Sequence, residues 1–272
     1  MSNTKSQGSV VLAGAGPGDP ELVTLKLLRS IQQAEVLIVD RLVNPGIWQQ
    51  YAKPDAEIII AGKQGYNYAS YTQQEVNQLL VEKAVSGKRV LRLKGGDVAF
   101  FSNVLDELLV LTELGIPFSI IPGITAASGA SAYAGIPLTA RGYANAVQFV
   151  AYNPSSVYDD IFWLGITSPT ATVVLYMASK NLRLFVEKML EHQANPDTPI
   201  AVIEQATTSH QQVHVSTLKK AVRELCPIEF SSPSLVIVGQ VVSLHKQFNW
   251  FEGQKEGSVF PSLNLQLQAL IP

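Results

Sequence analysis

Four short runs near the start of the chain, Val10 to Ala13, Glu35 to Asp40, Glu57 to Ala61 and Arg89 to Leu93, are β-branched or leucine-rich and show little alternation with polar residues. A strand with one face in water must alternate, so these runs predict strands covered on both faces, the habit of a parallel sheet. Between them, Thr24 to Gln33, Thr72 to Ser86 and Asn103 to Leu114 carry apolar residues three and four apart, the spacing of helices laid on such a sheet. A second series follows. Strands are expected at Phe118 to Ile121, Ala146 to Ala151, Ala171 to Met177, Ile200 to Ile203, Val213 to Val215 and Leu235 to Val238, with helices at Ala126 to Ala134, Leu182 to His192 and Thr217 to Leu225. The segment "LGIPFSIIPG" breaks the pattern with two prolines and two glycines. The fold class is therefore α/β, with two α/β domains at residues 1–116 and 117–251 and a weakly periodic tail at 252–272.

Composition narrows the function. Lysine and arginine number 20 against 22 acidic residues, which leaves no basic footprint for a nucleic-acid backbone. The single cysteine, Cys226, rules out an internal disulfide and a cysteine-cluster metal site. No basic-then-apolar leader precedes Val10, and no apolar run approaches the roughly 20 residues a membrane helix needs. A cytoplasmic protein is expected.

The stretch "VLAGAGPGDPELVTLKLL" resembles a nucleotide-binding glycine loop, but its chemistry argues otherwise. A dinucleotide fingerprint needs a third glycine where Asp19 stands, and Pro17 and Pro20 remove two N–H groups that a phosphate cradle would use. The lysine and hydroxyl residue of a P-loop are missing too. A second glycine turn, Gly95, Gly96 and Asp97, follows a buried strand, where open α/β sheets place their ligand crevice. Two loops in which glycine is followed by acid suit a ligand that carries positive charge and no phosphate, such as a sulfonium bearing an amino group. Asp97 either lines that crevice or caps the next helix.

The segments "GAGPGDPELVTLKLL", "VDRLVNPGI", "AGKQG", "LKGGD", "PGITAASGASAYAGIPLTARGYA", "LYMASKNL", "EQATT" and "SPSLVIVGQVV" occur in the order and at about the separations of the tetrapyrrole methylase family. The chain resembles that family over residues 9 to 251, and the pair Asp40 and Arg41 in "VDRLVNP" points to the branch that methylates uroporphyrinogen III to precorrin-2. The resemblance implies a homodimer, with S-adenosylmethionine at the junction of the two domains, S-adenosylhomocysteine as product and a porphyrinogen beside it. Carried over by motif, the cofactor contacts are Pro17, Gly95, Gly96, Asp97, Phe100, Thr125, Ala126, Met177 and Ala206. Asp40 is then the base and Lys63 the proton donor, and Arg41, Lys94 and Arg141 hold substrate carboxylates. The residues alone leave other readings open: Met177 as core, the helix "TAASGASAYA" as merely close-packed, Lys63 and Arg141 as solvent-exposed loop charges, and Asp40 as an ion-pair partner of Arg41.

Several positions depart from the family pattern. Val98 stands for a proline, Ser102 to Leu105 for a Gly-Arg-Gly-Gly run, Ala140 for a histidine, Tyr152 and Asn153 for Gly-His, and Gln64 for an arginine. These changes leave room for another tetrapyrrole substrate, or for a tetrapyrrole-binding regulatory protein without turnover. His210 and His214, four apart in "HQQVH", lack a third ligand and read as surface residues in an extended segment, with no metal site.

Overall fold

The computed structural model describes residues 8–61, 71–254 and 256–260. The chain divides into two compact units, the first reaching Ala126 and the second running from Ala127 to Ser258.

The first unit holds a five-stranded sheet of β1 (Ser9–Gly14), β2 (Val36–Val39), β3 (Glu57–Ile60), β4 (Arg89–Lys94) and β5 (Phe118–Ile121), in the order β3-β2-β4-β1-β5, with every neighbouring pair parallel. Its helices are α1 (Leu25–Gln33), α2 (Pro45–Gln49), α3 (Gln73–Val85) and α4 (Val104–Glu113). Successive strand residues face opposite ways, and both faces are apolar. Leu37, Val39, Leu91 and Leu93 pack with Leu27 and Ile31 of α1, while Val36, Ile38 and Val90 pack with Val76 and Leu80 of α3 and Leu111 of α4. That two-sided burial is the reason the strands show no polar alternation. Helix starts follow from capping chemistry: Thr24 Oγ1 accepts from Leu27 N, and Thr72 and Glu75 form a reciprocal capping box.

The second unit holds α5 (Ala126–Tyr133, its first residue at the boundary), β6 (Ala146–Ala151), α6 (Asp160–Ile166), β7 (Ala171–Tyr176), α7 (Leu182–Glu191), β8 (Pro199–Glu204), β9 (Gln212–Thr217), α8 (Leu218–Glu224), β10 (Ser234–Val238) and α9 (His245–Phe248). Its sheet runs β6-β7-β10-β8-β9, with β6 and β7 parallel and the remaining pairs antiparallel. The core on one side gathers Tyr152, Trp163 and Phe185.

Two expectations need correction. The domain break lies ten residues later than 116, because β5 pairs with β1 and so completes the first sheet. The expected tail is not separate over its first residues: Gln254 N donates to Ser209 O, and Gly253 packs on the Gln211 backbone. Residues 261–272 lie outside the described residues. The sequence pattern also missed α2 and α6, of five and seven residues, which are too short to show a helical period.

Candidate active site

β1 and β4 are neighbours, so the two glycine turns that follow them leave the sheet side by side. Pairing continues past the strands: Ala15 N donates to Lys94 O at 2.8 Å, Gly16 N to Gly96 O at 3.0 Å and Gly96 N to Gly16 O at 2.8 Å. A third turn, after β5, closes on them. A Cβ on Gly14 would stand 2.6 Å from Gly96 O and 2.8 Å from Gly123 N, so Gly14 has no side chain because three backbones meet there. Gly96 differs. A Cβ there meets nothing nearer than Ala126 N at 3.5 Å, yet its φ of +68° is one that side-chain-bearing residues rarely adopt. A Cβ there would make ordinary van der Waals contact with the turn after β5, so the glycine is required by its backbone conformation, and a main chain without a side chain lets a ligand approach it closely.

Asp97 holds this gathering of turns together. It is 6% exposed, and its Oδ1 accepts from Ala99 N at 2.7 Å while Oδ2 accepts from Gly123 N at 2.6 Å. It does not cap α4, whose N-cap is Asn103. The first loop is tied down by a residue the sequence reading passed over: Asn44 caps α2 through Gly46 N and donates from Nδ2 to Gly18 O at 2.7 Å. A cap residue just before Pro45 was the available signal. Pro17 is buried within the loop, and Phe100 and Thr125 are half-buried.

Asp40 follows β2 and is half-buried, its N–H donating to Leu93 O at 2.9 Å. Arg41 beside it has a buried Nε with no hydrogen-bond partner among the described residues, a donor that an anionic group would complete. Lys94 is a correction. Expected to reach substrate carboxylates, its side chain is only 4% exposed and its ammonium lies 2.8 Å from Glu107 Oε1, a fully buried carboxylate that also takes Arg92 Nε at 3.1 Å. Burial lowers the Lys94 pKa, the like charge of Arg92 lowers it further, and Glu107 and Asp40 act in the opposite sense. Arg92 and Glu107 were missed because each sits in an apolar run that reads as plain core. Lys63 lies outside the described residues.

In the second unit, Met177 follows β7 with φ +57° and is 66% exposed, which excludes the reading of it as core. Ala206 sits between Gln205 and Thr207, both with positive φ. At the start of α5, Ala127 N donates to Tyr176 Oη at 3.1 Å, and Ala127, Gly129 and Ala130 are buried, so the small residues of this helix do pack closely. Arg141 is exposed. Two of the departures from the family pattern are core residues: Val98 is 4% exposed, and Tyr152 at 7% packs among Tyr158, Trp163 and Phe185. His214 lies in β9 and is half-buried, its Nε2 2.7 Å from Glu204 Oε1, and His210 is half-buried too, so neither is the plain surface residue expected. Among the described residues, no group of three or more His, Cys, Asp or Glu side chains is placed to hold a metal ion.

Glycine turns collected at the carboxyl ends of a parallel sheet, without phosphate-binding lysine or serine, define an α/β protein of the kind whose ligand crevice lies at those strand ends. The chain belongs to the tetrapyrrole (corrin/porphyrin) methylases, whose sequence profile matches residues 9–222. It is 46% identical over 246 residues to a siroheme synthase of Pseudomonas fluorescens (strain SBW25), covering 90% of this chain and 53% of that protein. It is 45% identical over 251 residues to a siroheme synthase of Azotobacter vinelandii, covering 92% and 54%. The chain thus spans about half the length of these curated relatives. Among solved structures, a uroporphyrin-III-C-methyltransferase from Thermus thermophilus superimposes with a TM-score of 0.74 at 31% identity, covering 90% of this chain and 98% of that one. A form of that enzyme complexed with S-adenyl homocysteine matches with a TM-score of 0.70 at 32% identity, covering 86% and 93%.

Proposed function

We propose that this chain is an S-adenosylmethionine-dependent methyltransferase that C-methylates uroporphyrinogen III to precorrin-2, on the route to sirohaem and cobalamin. The observation that carries the reading is the convergence of three glycine turns at Gly14, Gly96 and Gly123, next to the strand that Asp40 and Arg41 follow. S-adenosylmethionine supplies the methyl group as a sulfonium. The backbone of Gly95, Gly96, Thr125 and Ala126, with Pro17 and Phe100, holds that cofactor, and Met177 and Ala206 are further contacts on sequence grounds. Asp97 shapes the loop instead of touching the ligand. Asp40 accepts the proton that the alkylated macrocycle loses, with Lys63 as donor on sequence grounds, and Arg41 and Arg141 take substrate carboxylates. The related structures support this assignment, and a cytoplasmic homodimer fits it.

A second reading is favoured by the burial of Val98 and Tyr152. Side chains turned into the core cannot contact substrate as polar groups would, which suits a different tetrapyrrole. Incubation of the purified protein with S-adenosylmethionine and uroporphyrinogen III, followed by absorbance and mass, separates the readings. Successive gains of one methyl group support the first. Cofactor binding with no methylation of uroporphyrinogen III, but methylation of another porphyrinogen or precorrin, would replace it with the second, and no methylation of any of them would leave a binding protein.

A further inference from the structure

Four charged residues lie near the ends of β2 and β4, three of them in contact, and only the fourth, Asp40, is accounted for by the proposed reaction. Arg92 and Lys94 are 4% and 3% exposed, and Glu107 of α4 is fully buried. Glu107 Oε1 receives both Lys94 Nζ at 2.8 Å and Arg92 Nε at 3.1 Å, while its Oε2 has no hydrogen-bond partner among the described residues. Arg92 is fixed further through Nη1, which donates to Ile38 O at 3.3 Å and Leu93 O at 3.2 Å. Two cations therefore share one buried anion. A net positive charge in so dry a place is unfavourable unless another anion stands close.

Asp40 is that anion. β2 and β4 run parallel with Val39 opposite Leu93, and Asp40 N donates to Leu93 O, so the next residues in register are Asp40 and Lys94. Glu107 and Asp40 are the two carboxylates that favour the charged form of Lys94. The ammonium cannot swing away, because Glu107 tethers it from a helix on one side and the strand fixes its backbone on the other.

We propose that Lys94 is a positioning residue for Asp40: held by Glu107, its ammonium is the fixed charge against which the Asp40 carboxylate is oriented at the end of β2. The inference rests on the reading of Asp40 as the base. Glu107 enters at one remove, as the anchor of Lys94, and Arg92, which donates to the same carboxylate oxygen, fixes that anchor in place. The arrangement ties the geometry of the proton-accepting group to α4, whose first turn includes the end of the altered stretch Ser102 to Leu105.

The test uses Lys94→Met, which keeps the length of the side chain and removes its charge, and Asp40→Asn, alone and together. In the otherwise unchanged protein, Lys94→Met should lower kcat by about tenfold or more, with the KM for the porphyrinogen and the affinity for S-adenosylhomocysteine each within about threefold. In the Asp40→Asn background, the same substitution should cost less than about threefold, since the group it positions is already gone. Glu107→Gln, which weakens the tether but spares the ammonium, should lower kcat by a smaller factor and also lose its effect when Asp40 is Asn. Equal losses from Lys94→Met in both backgrounds would overturn the proposal and leave Lys94 a residue of the fold. If Lys94→Met does not fold, the Glu107→Gln pair decides in the same way. The underlying reading fails separately: an Asp40→Asn single variant with unchanged kcat removes the base itself, whatever Lys94 does.

Discussion

Asp97 separates two ways in which a carboxylate can matter at a ligand site. As a direct partner of a cationic ligand, it would be dispensable for folding and decisive for binding. In the structure its two oxygens instead accept from Gly123 N at 2.6 Å and Ala99 N at 2.7 Å, and at 6% exposure water is a poor substitute. Hydrogen bonds to a charged group contribute about 1.5–3 kcal/mol each, and removing the acceptor leaves two donors partly buried and unpaired. Asp97→Ala should therefore destabilise the first unit by about 3–5 kcal/mol, and Asp97→Asn by about half of that, because the amide can still accept from one N–H but turns a donor toward the other. Urea unfolding followed by circular dichroism measures the loss, and calorimetric titration with S-adenosylhomocysteine measures binding on the protein that remains folded. Affinity should fall as well, since the turn after β5 is released from the Gly96 loop. The reasoning is refuted if Asp97→Ala changes stability by less than about 1 kcal/mol while abolishing binding. Asp97 would then face the ligand.

Two further outcomes test the frame that carries the site. Phe185 is fully buried, with ring centroids 5.1 Å from Tyr152 and 6.2 Å from Trp163, so Phe185→Ala should cost about 3–5 kcal/mol in urea unfolding, and a loss below about 1 kcal/mol would contradict the packing described for the second unit. Glu75 completes the capping box of α3, and its hydrogen bond from the Thr72 backbone lowers its pKa below 4.5. A depressed carboxylate contributes stability above its unfolded value, and loses it as the pH falls through the lower folded value. Glu75→Gln should thus lower Tm at about pH 6, with the gap to the wild type closing as the pH drops below about 4. A gap that stays constant across that range would mean that the charge contributes nothing.

What the sequence makes legible here follows from where each residue's energy comes from. The run "VLIV" of β2 is read at sight because both of its faces are covered, and Thr72 with Glu75 announces a helix start because capping is a local transaction between neighbours. The end of the first sheet was misplaced for the opposite reason. Pairing of β5 with β1 joins Phe118 to Val10 across most of the unit, and the prolines around it mark a turn without saying which sheet owns the strand. The site divides along the same line. Gly14, Gly16, Gly95 and Gly96 were visible as turns after strands, yet the reason for Gly14 is its approach to Gly96 and Gly123, which no spacing within one motif contains.

Charge is hardest to read, because a formula letter does not say whether a side chain faces water. Lys94 and Arg141 looked equivalent as basic residues near glycine or alanine. Arg141 is exposed and Lys94 is locked to Glu107, and the difference lies in α4, more than ten residues further along the chain, delivering a carboxylate to the strand end. A signal for it did exist. "RVLRLK" alternates arginine and lysine with apolar residues in a strand that the parallel arrangement buries on both faces, and a buried cation requires an anion from elsewhere. Within "VLDELLVL" the two acids are adjacent, so on a helix they point in directions about 100° apart and only one of them can turn inward. Taking the strand's need together with the helix's periodicity selects Glu107, which shares its buried face with Leu111, four residues on.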